Sequence, residues 1–104
     1  MYAKVKDFVL RIGEFQTIQL TDRDSEGVVN ESVLTIALSD STSQIDGYLS
    51  ARYRLPLPTI PQNLTRICCD LTRYRLVSMS EVTITYEIIT RYKLSLKELE
   101  DLAA

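Results

Sequence analysis

The residues of this chain with the most evident chemical potential are acidic. Asp22, Asp24, Glu26 and Gly27 follow the opening of a calcium-binding loop, D-x-D-x-[DN]-G, in which alternate oxygens converge on a hard cation. Val29 suits the hydrophobic eighth position, but position twelve is Val33, where such a loop needs a bidentate glutamate. The stretch is therefore expected to be an Asx-rich turn leading into a capped helix, with no metal. Cys68 and Cys69 are adjacent. On a helix, neighbouring side chains point about 100° apart, an arrangement suited neither to a disulfide nor to a shared metal ion. The expectation is a buried Cys68 beside a less buried Cys69, both reduced and both acting as small hydrophobes.

Nothing else assembles into a reaction centre. The chain has no histidine, which removes the commonest general base and the commonest metal ligand together. It has no G-x-S-x-G elbow, and its three glycines, Gly13, Gly27 and Gly47, make no phosphate loop. Asp46 is the one carboxylate expected to be partly buried, bonded to backbone or to an arginine. No residue is marked as catalytic or as binding a cofactor or metal, and the chain reads as non-enzymatic.

Three pentapeptides echo one another: ARYRL at 51–55, TRYRL at 72–76 and TRYKL at 90–94. Their offsets differ, which argues against a solenoid repeat. Each falls at an expected helix end, where cations interact favourably with the helix dipole. The alternative is a functional basic-aromatic surface for a neighbouring subunit or a passing polyanion. Arg52, Tyr53, Arg54, Arg73 and Arg75 are the candidate interface residues.

The elements that must position these groups read as helices. Val5, Phe8, Val9 and Ile12 recur at helical spacing, and Gly13 supplies a C-terminal stop. Glu14 to Leu20 is a second short segment, helical or irregular, and 21–30 is a polar loop. Asn30 caps a long helix over Glu31–Tyr53, with Val33, Ala37, Leu38, Ser41, Ile45, Tyr48, Leu49 and Arg52 on its stripe, widened by Leu34 and Ile36. Gly47 weakens this helix and suits a close approach by another backbone. Pro56, Pro58 and Pro61 force a rigid, extended connector over 55–61. A third helix runs from Gln62 or Asn63 to Val77, with Leu64, Ile67, Cys68, Leu71 and Tyr74 inward. Ser78/Glu81 and Ser95/Glu98 have capping-box spacing. The β-branched run VTITYEIIT resembles a strand, but the chain holds no second strand to pair with it. Val82–Leu94 is therefore expected to be a helix, followed by Leu96–Leu102 either as a last helix or as its continuation with a break at Ser95. The fold class is all-α: a small bundle of four to five helices, one long and central, in a single domain over 1–104. Its expected core is Val33, Ala37, Ile45, Leu49, Leu64, Ile67, Cys68 and Leu71.

Composition narrows the function classes. With 104 residues, 45% apolar and 25% charged, the chain can bury one modest core. A net charge of −2 lacks the basic excess with which nucleic-acid binders displace counterions. No apolar run reaches the ~18 residues of a membrane span, and the first 14 residues lack a signal-peptide core, so synthesis in the cytoplasm is expected and a membrane is not.

Four stretches carry a resemblance: YAKVKDFVLRIGE at 2–14, QLTDRDSEGVVNESVL at 19–34, IDGYLSARYRLPL at 45–57 and LTRICCDLTRYRL at 64–76. The third is the most specific, a helix ending in D-G-Y-L-x-x-R-Y that runs into prolines. Together they resemble a Mu-like prophage family of head–tail connector type, the Mu-like Gp36 family. The tail matches more loosely, through KLSL, and Lys4 stands where a capping threonine or aspartate is expected. The resemblance implies an α-helical adaptor that forms rings, commonly of twelve subunits, below the portal. Such a ring would extend the DNA channel without specific DNA binding and dock tail completion proteins, in the host cytoplasm during assembly and then in the virion. The competing reading is a small helical regulatory or DNA-binding module using Arg66, Arg73 and Arg75, which the acidic pI of about 5.1 and the lack of a helix-turn-helix pattern disfavour.

Overall fold

The computed structural model describes residues 1–104 as five α-helices without strands: α1 Val5–Ile12, α2 Glu14–Thr21, α3 Glu31–Leu49, α4 Gln62–Ser78 and α5 Tyr86–Ala103. The first two helices meet at Gly13, whose φ of 97° is a conformation that a side chain would strain. Its N–H bonds to the Val9 carbonyl, closing α1, and its carbonyl accepts from Thr17, opening α2. Lys4 stands at the N-cap of α1 but offers no acceptor. Only half of a capping box forms, with the Asp7 carboxylate accepting from the Lys4 N–H at 2.8 Å.

Helix α3 starts where Asn30 predicts: its side-chain oxygen accepts the Val33 N–H at 3.1 Å. It ends at Leu49, four residues before the expected Tyr53. Leu49 is the last side chain on the stripe to be buried, and Ser50, Ala51, Arg52, Tyr53 and Arg54 are all exposed. A further helical turn would bury nothing, and Pro56 disfavours helical backbone at the residue before it. The chain leaves through a turn in which the Arg52 and Tyr53 N–H groups bond to the Leu49 carbonyl. Residues 51–61 are non-helical, and the Leu55–Pro56 bond is cis.

The fourth and fifth segments also correct the sequence expectation. Val82–Leu94 and Leu96–Leu102 are not two helices: α5 is continuous, and Val82–Thr85 lie outside it. Thr85 is its N-cap, accepting the Ile88 N–H at 3.2 Å. Ser95 is buried and bonds to Asp70 on α4, so its hydroxyl serves a helix crossing rather than a cap. Ser78 likewise caps no following helix, and its hydroxyl donates back to the Arg75 carbonyl.

Helices α3 and α4 are antiparallel: Ala37 and Leu76 share a groove at one end, Leu49 and Leu64 at the other. Helix α5 is antiparallel to α4, tied by Arg73–Glu87 near one end and Arg66–Glu98 near the other. The α1–α2 pair packs on α3 and α4. Of the expected core, Ala37, Ile45, Leu49, Leu64, Ile67, Cys68 and Leu71 are buried, whereas Val33 is half-buried at the edge of the cluster. Leu34 and Leu38 fill the centre in its place, both with no exposed surface. Cys69 is as buried as Cys68, contrary to the expected asymmetry, because α1 covers that side of α4. Burial pushes the Cys69 thiol up to about 12, with the neighbouring Cys68 adding to it, and raises the Cys68 thiol as well. Gly47 meets no neighbouring backbone: it is exposed, and a Cβ built there touches nothing within 4 Å.

Hydroxyls supply the polar part of the interior. Thr72 donates to Ser41 across the α3–α4 contact at 2.9 Å, and Thr21 both bonds the Thr17 carbonyl and accepts the Asn30 N–H. The N-terminal segment is built in too: Tyr2 and Ala3 are buried, and Thr65 donates to the Tyr2 carbonyl at 2.8 Å. The Tyr2 hydroxyl donates to Asp46, so that carboxylate is held by a phenol rather than by backbone or arginine.

Candidate interface

The basic-aromatic pentapeptides occupy three unlike positions. In 51–55, Arg52 donates to the backbone oxygen of Ala104 at 2.6 Å and lies over the Tyr53 ring at 5.7 Å, while Arg54 projects without a partner. Tyr53 is exposed. In 72–76 and 90–94 the tyrosines face each other: Tyr74 and Tyr92 stack with centroids 3.9 Å apart and planes 10° from parallel, joining α4 to α5. Of the arginines in these pentapeptides, only Arg75 lies in the last turn of a helix, because 90–94 sits inside α5 and Arg52 lies beyond α3. The helix-end explanation therefore holds for Arg75 alone.

Arg73 and Arg75 are both half-buried. Arg73 makes a two-pronged pair with Glu87, at 3.0 and 3.2 Å, and its Nε donates to Gln16 at 2.8 Å. It thus locks α2, α4 and α5 together. Arg75 donates to Gln44 on α3, and its buried Nε has no partner in the chain. Of the five candidates, then, Arg52, Tyr53 and Arg54 form one exposed group, while Arg73 and Arg75 are spent mostly on internal contacts.

The structure brings together a charged cleft that the pentapeptide reading missed. Arg11, Arg66, Asp70, Arg73, Glu87 and Arg91 line a cleft of about 320 Å³ between α1, α4 and α5. Arg66 bridges Glu98 at 2.6 Å and Asp70 at 3.7 Å, and Arg91 reaches Glu87 at 2.6 Å. Arg11 has no carboxylate in ion-pairing range. Glu87 is held below the usual carboxylate range by hydrogen bonds from Arg73 and Arg91. Asp70 moves the other way: burial raises it, against the Ser95 hydrogen bond and the nearby guanidinium groups. A signal was present in the sequence, since Arg66, Asp70 and Arg73 are spaced to share one helix face and Glu87–Arg91 is an i,i+4 pair.

The acidic run at 22–27 is the turn expected of it. The Asp22 carboxylate accepts the N–H groups of Glu26 and Gly27 at 2.9 and 2.7 Å, and Ser25 and Gly27 take positive φ. No three His, Cys, Asp or Glu side chains converge in metal-binding geometry, and no helix is long and apolar enough to cross a membrane. Large apolar side chains do stand in solvent: Leu10 is 74% exposed, Phe15 77%, Ile36 63% and Met79 67%. The last two line one groove between α3 and α4.

Gene product J of Escherichia phage Mu is 34% identical over 95 residues, covering 88% of this chain and 67% of that protein. The Mu-like prophage FluMu protein gp36 of Haemophilus influenzae is 39% identical over 70 residues, covering 67% of this chain and 47% of that protein. The chain thus spans about two thirds of the first relative and about half of the second. The family described as Bacteriophage Mu, Gp36 matches residues 2–104, and the chain belongs to that family.

Proposed function

We propose that the chain is a structural subunit of a phage or prophage head–tail connector. In this reading identical copies close into a ring beneath the portal, extend the DNA channel and offer a docking surface to tail completion proteins. The observation that carries it is the family match over nearly the whole chain, to proteins of phage Mu and a Mu-like prophage. The surface is consistent with such a role. Ile36 and Met79, both well exposed, line one groove between α3 and α4 that a neighbouring copy could cover. A ring of identical copies needs two different faces that fit one another. A net charge of −2 would let DNA slide past rather than grip it. The competing reading, a DNA-binding helix bearing Arg66, Arg73 and Arg75, loses its donors, because all three are engaged within the chain. Assembly would take place in the host cytoplasm and end in the virion.

The test is complementation of a phage lacking this gene, with electron microscopy of the products. Wild-type protein should restore joined particles and form rings, alone or on portal-bearing heads. Arg54→Glu should fold normally and join heads to tails poorly. Protein that neither forms rings nor associates with portal-bearing heads would refute the connector reading, and unchanged joining by Arg54→Glu would remove that residue from the interface.

A further inference from the structure

Two charged features of this surface are incomplete within one copy. The first is the cleft between α1, α4 and α5, where four guanidinium groups meet Asp70, Glu87 and, through Arg66, Glu98, leaving one positive charge in excess on a chain that is acidic as a whole. Arg11 has no ionic partner there, and the Arg91 side chain is 56% exposed despite its pair with Glu87. The second is the loop after α2. Asp22 ties its own carboxylate to the loop backbone and holds the turn in shape, while the carboxylates of Asp24 and Glu26 are exposed and have no partner in the chain. These features lie at opposite ends of α2, whose eight residues span about 12 Å. A pinned loop cannot fold back along that length to reach the cleft of its own copy.

We propose that the cleft of one copy receives the Asp24–Glu26 loop of the next, placing carboxylates against Arg11 and Arg91. The proposal rests on the connector reading and names a subunit contact within it. Head-to-tail contact of two unlike surfaces is heterologous, the class that closes into rings. The occupant is a protein carboxylate rather than a nucleic-acid backbone for two reasons. Glu87 and Asp70 interrupt the guanidinium groups and would repel a continuous run of phosphates. The chain's net negative charge would also oppose a polyanion at long range. Arg73, which lines the cleft and is fixed by Gln16 on α2 and Glu87 on α5, is a positioning residue.

Disulfide trapping tests the contact. Arg11→Cys and Asp24→Cys are introduced into separate full-length chains; the native Cys68 and Cys69 are buried and do not compete. Mixed at millimolar concentration and oxidised, the two variants should cross-link to each other faster than either does to itself. A mixed disulfide that forms no faster than the same-variant ones overturns the proposal. Charge reversal supplies a second arm. Arg91→Glu and Asp24→Arg should each weaken self-association by about tenfold or more, and mixing them should restore it. Rings that persist through both reversals would leave the connector reading standing and overturn this contact. Mixed cross-linking by a protein that never joins heads to tails would do the opposite. A mobility shift of duplex DNA that Arg11→Gln abolishes would make the cleft a nucleic-acid site and likewise overturn the proposal.

Discussion

Leu71→Ala tests the packing on which every surface argument depends. Leu71 lies on α4, which contacts each of the other four helices, and it has no exposed surface. The substitution deletes the part of the side chain beyond Cβ, with a transfer cost of about 0.8 kcal/mol for each buried carbon group, or about 2.4 kcal/mol. A rigid surround adds a cavity term, which puts the expected loss at about 2–5 kcal/mol. A chain of this size has a total stability of roughly 5–15 kcal/mol, so the loss is a large fraction of it. At about 4–8 °C per kcal/mol, a loss of ~3 kcal/mol lowers Tm by roughly 12–24 °C. The assay is urea unfolding followed by circular dichroism, in which the midpoint should fall while the denaturant slope stays constant. Leu94→Ala is the control. It makes the same deletion at a residue 61% exposed on α5, and should change stability by no more than about 0.5 kcal/mol. A loss below about 1 kcal/mol for Leu71→Ala, or equal losses for the two variants, would refute the placement of α4 at the centre.

Three further outcomes follow from particular residues. Gly47→Ala should stabilise the protein by about 0.5–1 kcal/mol, because the new Cβ meets nothing and helical backbone entropy is saved; a lower melting temperature would mean that Gly47 serves a contact after all. Burial raises the Asp70 pKa in the folded chain, so the unfolded chain loses this proton first as pH rises. Asp70 therefore contributes stability below the ordinary aspartate range, near pH 3.9, and that contribution is lost as pH climbs through the raised value. In urea midpoints measured over a pH series, Asp70→Asn should gain on the wild type across that window, and parallel curves would contradict the burial argument. Cys68 and Cys69 should react with a thiol reagent at neutral pH only as fast as the structure opens, and a thiol that titrates on mixing would show that α3 and α1 do not cover them.

Helix type and order were legible in the sequence wherever apolar residues carried a period. The stripes through Phe8, Ala37–Leu49 and Leu64–Leu71 each mark a buried face, and Asn30 and Gly13 mark boundaries by mechanisms that act within a few residues. Boundaries failed where a local signal competed with a distant one. Ser95 has the spacing of a cap, but the carboxylate that uses its hydroxyl is 25 residues away on α4. The pentapeptide at 51–55 prolongs the helical pattern of α3, yet the helix stops at Leu49, with Ser50 to Arg54 exposed and Pro56 disfavouring helical backbone before it. A glycine at 47 suggests a close approach in sequence, and only packing shows that its side is open.

The candidate site was harder to read for a related reason. In sequence, Arg52, Arg54, Arg73 and Arg75 stand out for their tyrosine neighbours. What decides a guanidinium group's availability is whether a carboxylate or amide reaches it from another helix. Glu87 and Gln16 reach Arg73, and Gln44 reaches Arg75, from positions 14, 57 and 31 residues distant. Arg11, which stands beside no tyrosine in sequence, keeps its charge free. Free charge is what a partner can use, since a guanidinium group already paired inside its own chain must break that pair before it can make another. By that criterion Arg54 and Arg11 are positions at which charge reversal should disturb assembly without disturbing the fold, and Arg73 is one at which it should do both.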